Sequence, residues 1–178
     1  MKKQYFILTV ALLIVSFAAH AQGIPTESIK ESMVKDWERA KKYTQAYLDA
    51  MPADKYGRKP TDSIRSFSEQ MLHLASGNVF LASNALGKGW GYGNIEKSPT
   101  AQGKDSVAFY VNASYDYVIN GIKNMDGAQL GERVKRGNWD FAKVEWLMKA
   151  FEHQTHHRGQ GTIYIRLAGV KPPNEMLF

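Results

Sequence analysis

One stretch of this chain carries no formally charged side chain over a length that suits a helix. Between Glu69 and Lys88 there is no Asp, Glu, Lys or Arg, and the one group that titrates near neutral pH is His73. The stretch lies within a segment with helical signals, from about Thr61 to Leu86. A helix without a charged face is buried on several sides, so other elements must surround it.

Three further segments have the spacing of amphipathic helices, at about Glu27–Met51, Asp105–Lys123 and Asp140–Leu167. The candidate N-cap residues are Thr26, Thr61 and Asp140. The predicted stops are Pro52, Gly87 and the run Gly169–Pro173. No segment shows sustained strand alternation, so the sequence predicts an all-α fold. Four helices of this length pack most simply as a bundle.

The first 21 residues have the pattern of a cleaved signal peptide. Lys2 and Lys3 precede an apolar run that ends near Ala19, and Ala19-His20-Ala21 is a small-x-small cleavage pattern. The run is too short for a comfortable membrane span of about 20 residues, so we expect no stable membrane anchor. The prediction is an exported protein, periplasmic or extracellular, with one domain over residues 22–178.

Composition limits the chemistry that the domain can use. The chain has no cysteine, which excludes disulfides, thiol nucleophiles and thiolate metal ligands, and leaves histidines and carboxylates for any metal site. The net charge is mildly basic, and no long run of like charge occurs, so we expect no nucleic-acid partner.

A glycine-rich segment, Gly87–Gly93, follows the uncharged helix. Its glycines fit neither dinucleotide nor phosphate-binding motifs, and it follows a helix rather than a strand, which favours an ordinary loop. Its aromatic residues, Trp90 and Tyr92, could cover the mouth of a pocket.

Three of the five histidines lie close together, at positions 153, 156 and 157. On a helix His153 and His157 are one turn apart and differ by about 40° around the axis, whereas His156 is turned roughly 60–100° away. Such a pair can also be ordinary surface polarity. His73 strengthens the metal interpretation because a buried imidazole needs a partner for each ring nitrogen. Helical periodicity alone leaves His73 either facing inward or on the flank of its helix.

Several segments resemble the DinB family. Arg65–Ala75 resembles the second-helix signature of that family, and His153–Gln160 resembles its C-terminal motif. Tyr164–Leu167 and Gly169–Pro173 are similar to the sequence that follows in the family. Together these segments span roughly the whole predicted mature chain.

The resemblance implies an antiparallel four-helix bundle, often paired as a homodimer, that holds a divalent metal. One ligand comes from the second helix and two from the fourth, which corresponds here to His73, His153 and His157, with His156 in reserve. It also implies that His73 faces inward. Relatives include thiol-dependent S-transferases and a mycothiol-dependent isomerase.

Three nitrogen ligands with an open position are typical of catalytic rather than structural zinc sites. Zinc or nickel is the expected ion, although imidazole suits other metals too. Glu69, one turn before His73, is a candidate acceptor for its ring or a general base; alternatively, it is a solvated helix carboxylate.

The sequence therefore predicts an exported, divalent-metal-binding DinB-like protein. The leading interpretation is a metal-dependent hydrolase or thiol-dependent transferase that acts on a small molecule. The alternatives are a non-catalytic exported bundle that binds a metal or ligand, and a stress-associated structural bundle whose site is vestigial.

Overall fold

The computed structural model describes residues 23–178, and the predicted signal peptide lies outside this range. Four helices form a bundle: α1 (Thr26–Ala50), α2 (Phe67–Leu86), α3 (Lys104–Lys123) and α4 (Lys143–Leu167). A small antiparallel hairpin of β1 (Arg133–Arg136) and β2 (Trp139–Ala142) precedes α4. Short 3-10 turns occur at Ala53–Lys55, Pro99–Ala101 and Gly127–Gly131. The structure confirms the predicted all-α bundle, to which the hairpin is a minor addition.

None of the helices within residues 23–178 combines the length and the apolar character that a membrane crossing requires.

Helix α2 is the most enclosed element of the bundle, as its lack of charge predicted. It packs most extensively against α4 and also against α3. Met71, Leu72 and Leu74 are fully buried. Gly161 of α4 lets the two helices approach closely, because a Cβ at that position would lie 3.0 Å from Met71 Cε. A larger side chain there would require the end of Met71 and the ring of Tyr47 to shift.

Large aromatic side chains fill the centre of the bundle. Trp37 of α1, Phe67 of α2, Tyr115 of α3 and Trp146 of α4 are all almost completely buried. Trp37 and Tyr115 meet edge to face with ring centroids 5.7 Å apart. Burial of each such side chain contributes about 1.5–3 kcal/mol, so this core supports the positions of all four helices.

The predicted start of α2 at Thr61 is wrong. The helix begins at Phe67, and Ser66 is its N-cap. The Ser66 side chain accepts from Glu69 N at 3.2 Å, and Ser66 N donates to Glu69 Oε2 at 2.6 Å. This reciprocal capping box fixes the start more strongly than a lone threonine can. The end at Leu86, before Gly87 with φ 66°, agrees with the prediction.

Two other predicted helix starts need correction. Thr26 is the first residue of α1 rather than its cap, because Pro25 occupies the N-cap position. Asp140 lies in β2, where its side chain forms an ion pair with Arg133, and α4 begins at Lys143. Gly137, with φ 59°, supplies the left-handed conformation that the tight turn of this hairpin requires. Strands of four residues are too short to show alternation in the sequence.

Candidate metal centre

Helices α2 and α4 bring three imidazole rings together at one side of the bundle. One nitrogen from each of His73, His153 and His157 lies within 4.8 Å of the others. The ring centroids of His153 and His157 are 4.3 Å apart, and those of His73 and His157 are 4.6 Å apart. The sequence singled out these three histidines, and the fold places them around a common point. His73 thus faces α4 rather than lying on an outer flank.

Glu96 holds the ring of His73 from the loop between α2 and α3. Its Oε2 lies 3.0 Å from His73 Nδ1, and both side chains are partly buried. When Nδ1 carries the proton and donates to this carboxylate, Nε2 remains available to a metal. Sequence reasoning missed Glu96, because no local pattern connects a loop carboxylate with a histidine 23 residues earlier.

The ring of His157 is held in a comparable way by two glutamines. Gln160 Oε1 lies 2.9 Å from His157 Nδ1 and accepts from the Nδ1–H tautomer. The amide nitrogen of Gln70 also donates to Gln160 and lies 2.7 Å from His157 Nδ1, to which it donates in the other tautomer, when Nδ1 carries no proton. Protein groups therefore engage Nδ1 of both His73 and His157, which leaves their Nε2 atoms for a metal.

His153 occupies a space that exists only because α2 has a glycine beneath it. A Cβ at Gly77 would lie 1.9 Å from Cε1 of His153 and within 2.7 Å of both its ring nitrogens. Nδ1 of His153 is buried and has no hydrogen-bond partner among residues 23–178. A buried polar atom without a partner costs about 1–3 kcal/mol. A metal ion bound to this ring would be a suitable partner.

Burial keeps two of the rings neutral. It lowers the pKa of His153 from its ordinary value of 6.5 to about 4, with repulsion from His157 and His73 as further causes. Burial also lowers the pKa of His157 to about 4, and repulsion from His73 adds to the effect. Neutral imidazoles are the form that binds metals. The donor set, its protonation and its geometry all fit a divalent ion.

A buried polar network fixes α4 beside the histidines. Tyr115 OH lies 2.7 Å from Thr44 Oγ1 and donates to Gln154 Oε1 at 2.8 Å. Arg158 donates to the same oxygen at 2.8 Å, and its guanidinium lies 4.5 Å from the centroid of the Tyr43 ring. Gln154 and Arg158 each directly follow one of the two α4 histidines. The network therefore sets the rotation of α4 that points those histidines toward α2.

Two other side chains considered in the sequence do not belong to the group of three converging histidines. Glu69 is not the acceptor for His73, because its carboxylate caps α2 and lies 3.7 Å from Lys59 Nζ. His156 is exposed, and its ring lies beside His157 with centroids 4.8 Å apart. It is not part of the group of three converging nitrogens.

The glycine-rich loop packs on α3. Trp90 and Tyr92 contact each other with centroids 5.0 Å apart, and Tyr92 contacts Tyr110 and Phe109 of α3 at 5.6 Å. These loop aromatics line neither of the clefts beside the histidines.

Comparison with known protein families matches residues 25–176 to the DinB family. The chain belongs to the DinB family. No curated protein gives a significant sequence match.

Solved structures of DinB-like proteins have the same fold. A DinB-like protein from Bacillus cereus has a TM-score of 0.71 and 17% identity, with 82% of this chain and 96% of that chain covered. One from Bacillus subtilis has a TM-score of 0.63 and 15% identity, with 83% and 96% covered. A conserved protein from Enterococcus faecalis has a TM-score of 0.61 and 18% identity, with 78% and 96% covered. At these identities the likeness concerns the fold alone.

Two clefts reach the histidines of this DinB-family bundle. The first, the His73 cleft, has a volume of about 610 Å³ and is lined by residues that include His73, Gly77, Phe80, Glu96 and His153. The second, the His157 cleft, has a volume of about 780 Å³ and is lined by residues that include Ile64, Arg65, His156, His157 and Ile163. Each is large enough for a small molecule to approach the rings.

We expect the metal-free protein to lose stability as the pH falls from about 6.5 to about 4. In this window the unfolded chain protonates His153 and His157 while the folded chain does not. The unfolded state therefore binds more protons, and the free energy of unfolding decreases with falling pH. Urea denaturation at a series of pH values should show a flatter dependence for His153→Gln than for wild type. The exposed control His156→Gln should retain the wild-type slope, and equal slopes for all three proteins would contradict the prediction.

Proposed function

We propose that this chain is a divalent-metal protein whose three-histidine centre serves a metal-dependent enzyme acting on a small molecule. The observation that carries the proposal is the convergence of one nitrogen each from His73, His153 and His157 within 4.8 Å. Three neutral nitrogen donors leave part of a metal's coordination sphere open, as in catalytic zinc sites. The reaction classes we propose are hydrolysis and thiol-dependent transfer.

The surroundings of the three rings support a reactive rather than a purely structural centre. A structural zinc site is closed by four protein ligands, whereas this donor set borders the His73 cleft and the His157 cleft. When bound, a divalent cation would supply Lewis-acid chemistry that stabilises negative charge on an oxygen or sulfur atom of the substrate.

The protein's own contribution is to prepare the ligands. Glu96 orients the ring of His73 through Nδ1, Gln160 and Gln70 orient that of His157 through the same atom, and burial keeps His153 and His157 neutral. The rings are therefore held in place before they bind an ion. Zinc or nickel is our proposed occupant, because both accept imidazole ligands and the chain has no thiolates.

A non-catalytic metal-binding role is the second candidate, and one observation favours it. Within residues 23–178, Glu96 is the carboxylate that contacts the group of three histidines, and its contact is the hydrogen bond to His73 Nδ1. A carboxylate engaged in this way is poorly placed to act as a general base.

We expect the purified, tag-free protein to retain about one equivalent of zinc per chain after incubation and dialysis. The variant His153→Ala/His157→Ala should lose most of this zinc, because two of the three donors are gone. Elemental analysis measures both, and circular dichroism shows whether the variant is folded. Equal zinc content in the two proteins would rule out this centre.

Two further variants make that experiment specific. His156→Ala should retain zinc, since this exposed ring is outside the group of three. Gly77→Ala should weaken zinc binding about tenfold or more, because the new methyl group displaces the ring of His153. Alanine otherwise favours a helix over glycine by about 1 kcal/mol, so weaker binding would not follow from a lower helix propensity.

Chelation distinguishes the enzyme from the binder. Zinc-loaded protein should be screened with ester, amide and thiol-transfer substrates, with and without EDTA. Activity that is lost on chelation and restored by zinc is the expected result. Activity that survives chelation would refute the metal-dependent mechanism, and a complete lack of activity would favour the binding role.

We also propose that the protein is exported after cleavage near Ala21, on the basis of the N-terminal sequence pattern. N-terminal sequencing of the protein from its native host should give Gln22 or a close neighbour as the first residue. A mature protein that begins at Met1 would contradict export by this route.

A further inference from the structure

The His157 cleft has one permanently charged side chain in its lining. Arg65 lies there beside His157, together with the exposed His156. None of the described residues that line this cleft is Asp or Glu. The His73 cleft differs, because its lining includes the carboxylate of Glu96. The two approaches to the histidines therefore carry opposite formal charge.

Arg65 has a fixed backbone and a free side chain. Its carbonyl oxygen accepts from the Tyr164 hydroxyl at 2.8 Å, which attaches this residue to α4. Its side chain forms no ion pair with any residue of 23–178. The neighbouring carboxylate of Glu69 is engaged by Ser66 N and by Lys59. The guanidinium is thus available to a ligand in the cleft.

Two exposed apolar side chains lie in the same cleft as this guanidinium. Ile64 precedes Arg65 and is 44% exposed, and Ile163 of α4 is 56% exposed. Tyr164 also contributes to the lining. The cleft therefore combines an apolar surface with one positive charge, and both lie next to the three histidines. These features suit a ligand that has an apolar body and one anionic group.

We propose that the substrate of the centre is a small amphipathic organic anion, whose oxyacid group binds Arg65 and whose apolar body lies against Ile64 and Ile163. This inference rests on the proposed function, since it places the substrate beside the three histidines. Arg65 is then a specificity residue rather than a metal ligand. A carboxylate, phosphate or sulfonate shares the required chemistry, because each presents charged oxygens to the planar fork of a guanidinium.

The electrostatics of the site point the same way. Arg65 and His157 line the same cleft, so the positive charge of the guanidinium acts beside the group of three rings. A divalent ion there would increase the positive potential of the cleft and attract an anion more strongly.

The test compares two probes with the same alkyl chain, hexanesulfonate and hexanol. NMR signals of the Gln70 and Gln160 side-chain amides report binding near His157, in both metal-free and zinc-loaded protein. Wild type should bind hexanesulfonate about tenfold or more tightly than hexanol, as expected for one charged hydrogen-bonded contact. Arg65→Gln should remove this preference. Arg166→Gln makes the same charge change at an exposed site that lines neither cleft, and should keep it.

The apolar wall has its own variant. Ile163→Ser should weaken hexanesulfonate binding several-fold while the preference over hexanol remains, because the charged contact is unchanged.

Each outcome separates this inference from the proposed function. Equal affinities of wild type for the two probes, no saturable binding of hexanesulfonate, or a preference that survives Arg65→Gln would each overturn the anionic substrate. Zinc binding without anion preference removes this inference alone. Anion preference in a protein that does not bind zinc leaves the anion cleft standing and removes the metal centre.

Discussion

The close packing of α2 against α4 is the contact on which both the fold and the site depend. Because α2 carries no formal charge after Glu69, the bundle can enclose it, and two glycines on this interface set how near the helices come. Gly161 allows contact with Met71, and Gly77 leaves room for a histidine ring. The same interface that buries apolar surface therefore also determines the distance between the imidazoles. Stability and site geometry cannot be varied independently here.

The sequence predicted those features that are repeated along a helix or follow one another in the chain. Long apolar periodicity gave the four helices, and the one-turn spacing of His153 and His157 gave two members of the centre. The start of α2 was predicted wrongly because threonine after Pro60 is a common helix cap. The capping box formed by Ser66 and Glu69 instead places the first turn of the helix at Phe67. The hairpin before α4 was missed because each strand has only four residues.

Other parts of the site depend on tertiary contacts that have no local signature. Glu96 reaches His73 only because the loop after α2 returns to the same side of the bundle. The contact of Gln70 with His157 likewise joins residues 87 positions apart. A single sequence offers no means of pairing such residues. The sequence therefore suggested Glu69 as the partner of His73, because it is the nearest carboxylate on the same helix. The polar network around Gln154 was hidden for the same reason.

Glu96 lies in a loop, whereas the three histidines lie on packed helices. The loop is attached through the buried side chain of Ile95 and through Gln102, whose amide donates to the Glu96 carbonyl at 3.3 Å. Loop residues tolerate substitution and length change better than bundle residues do. Evolution can therefore alter the partner of His73, and with it the basicity of that imidazole, without repacking the helices. Changes in a few loop residues can thus change the surroundings of the three histidines while the helices that hold them stay the same.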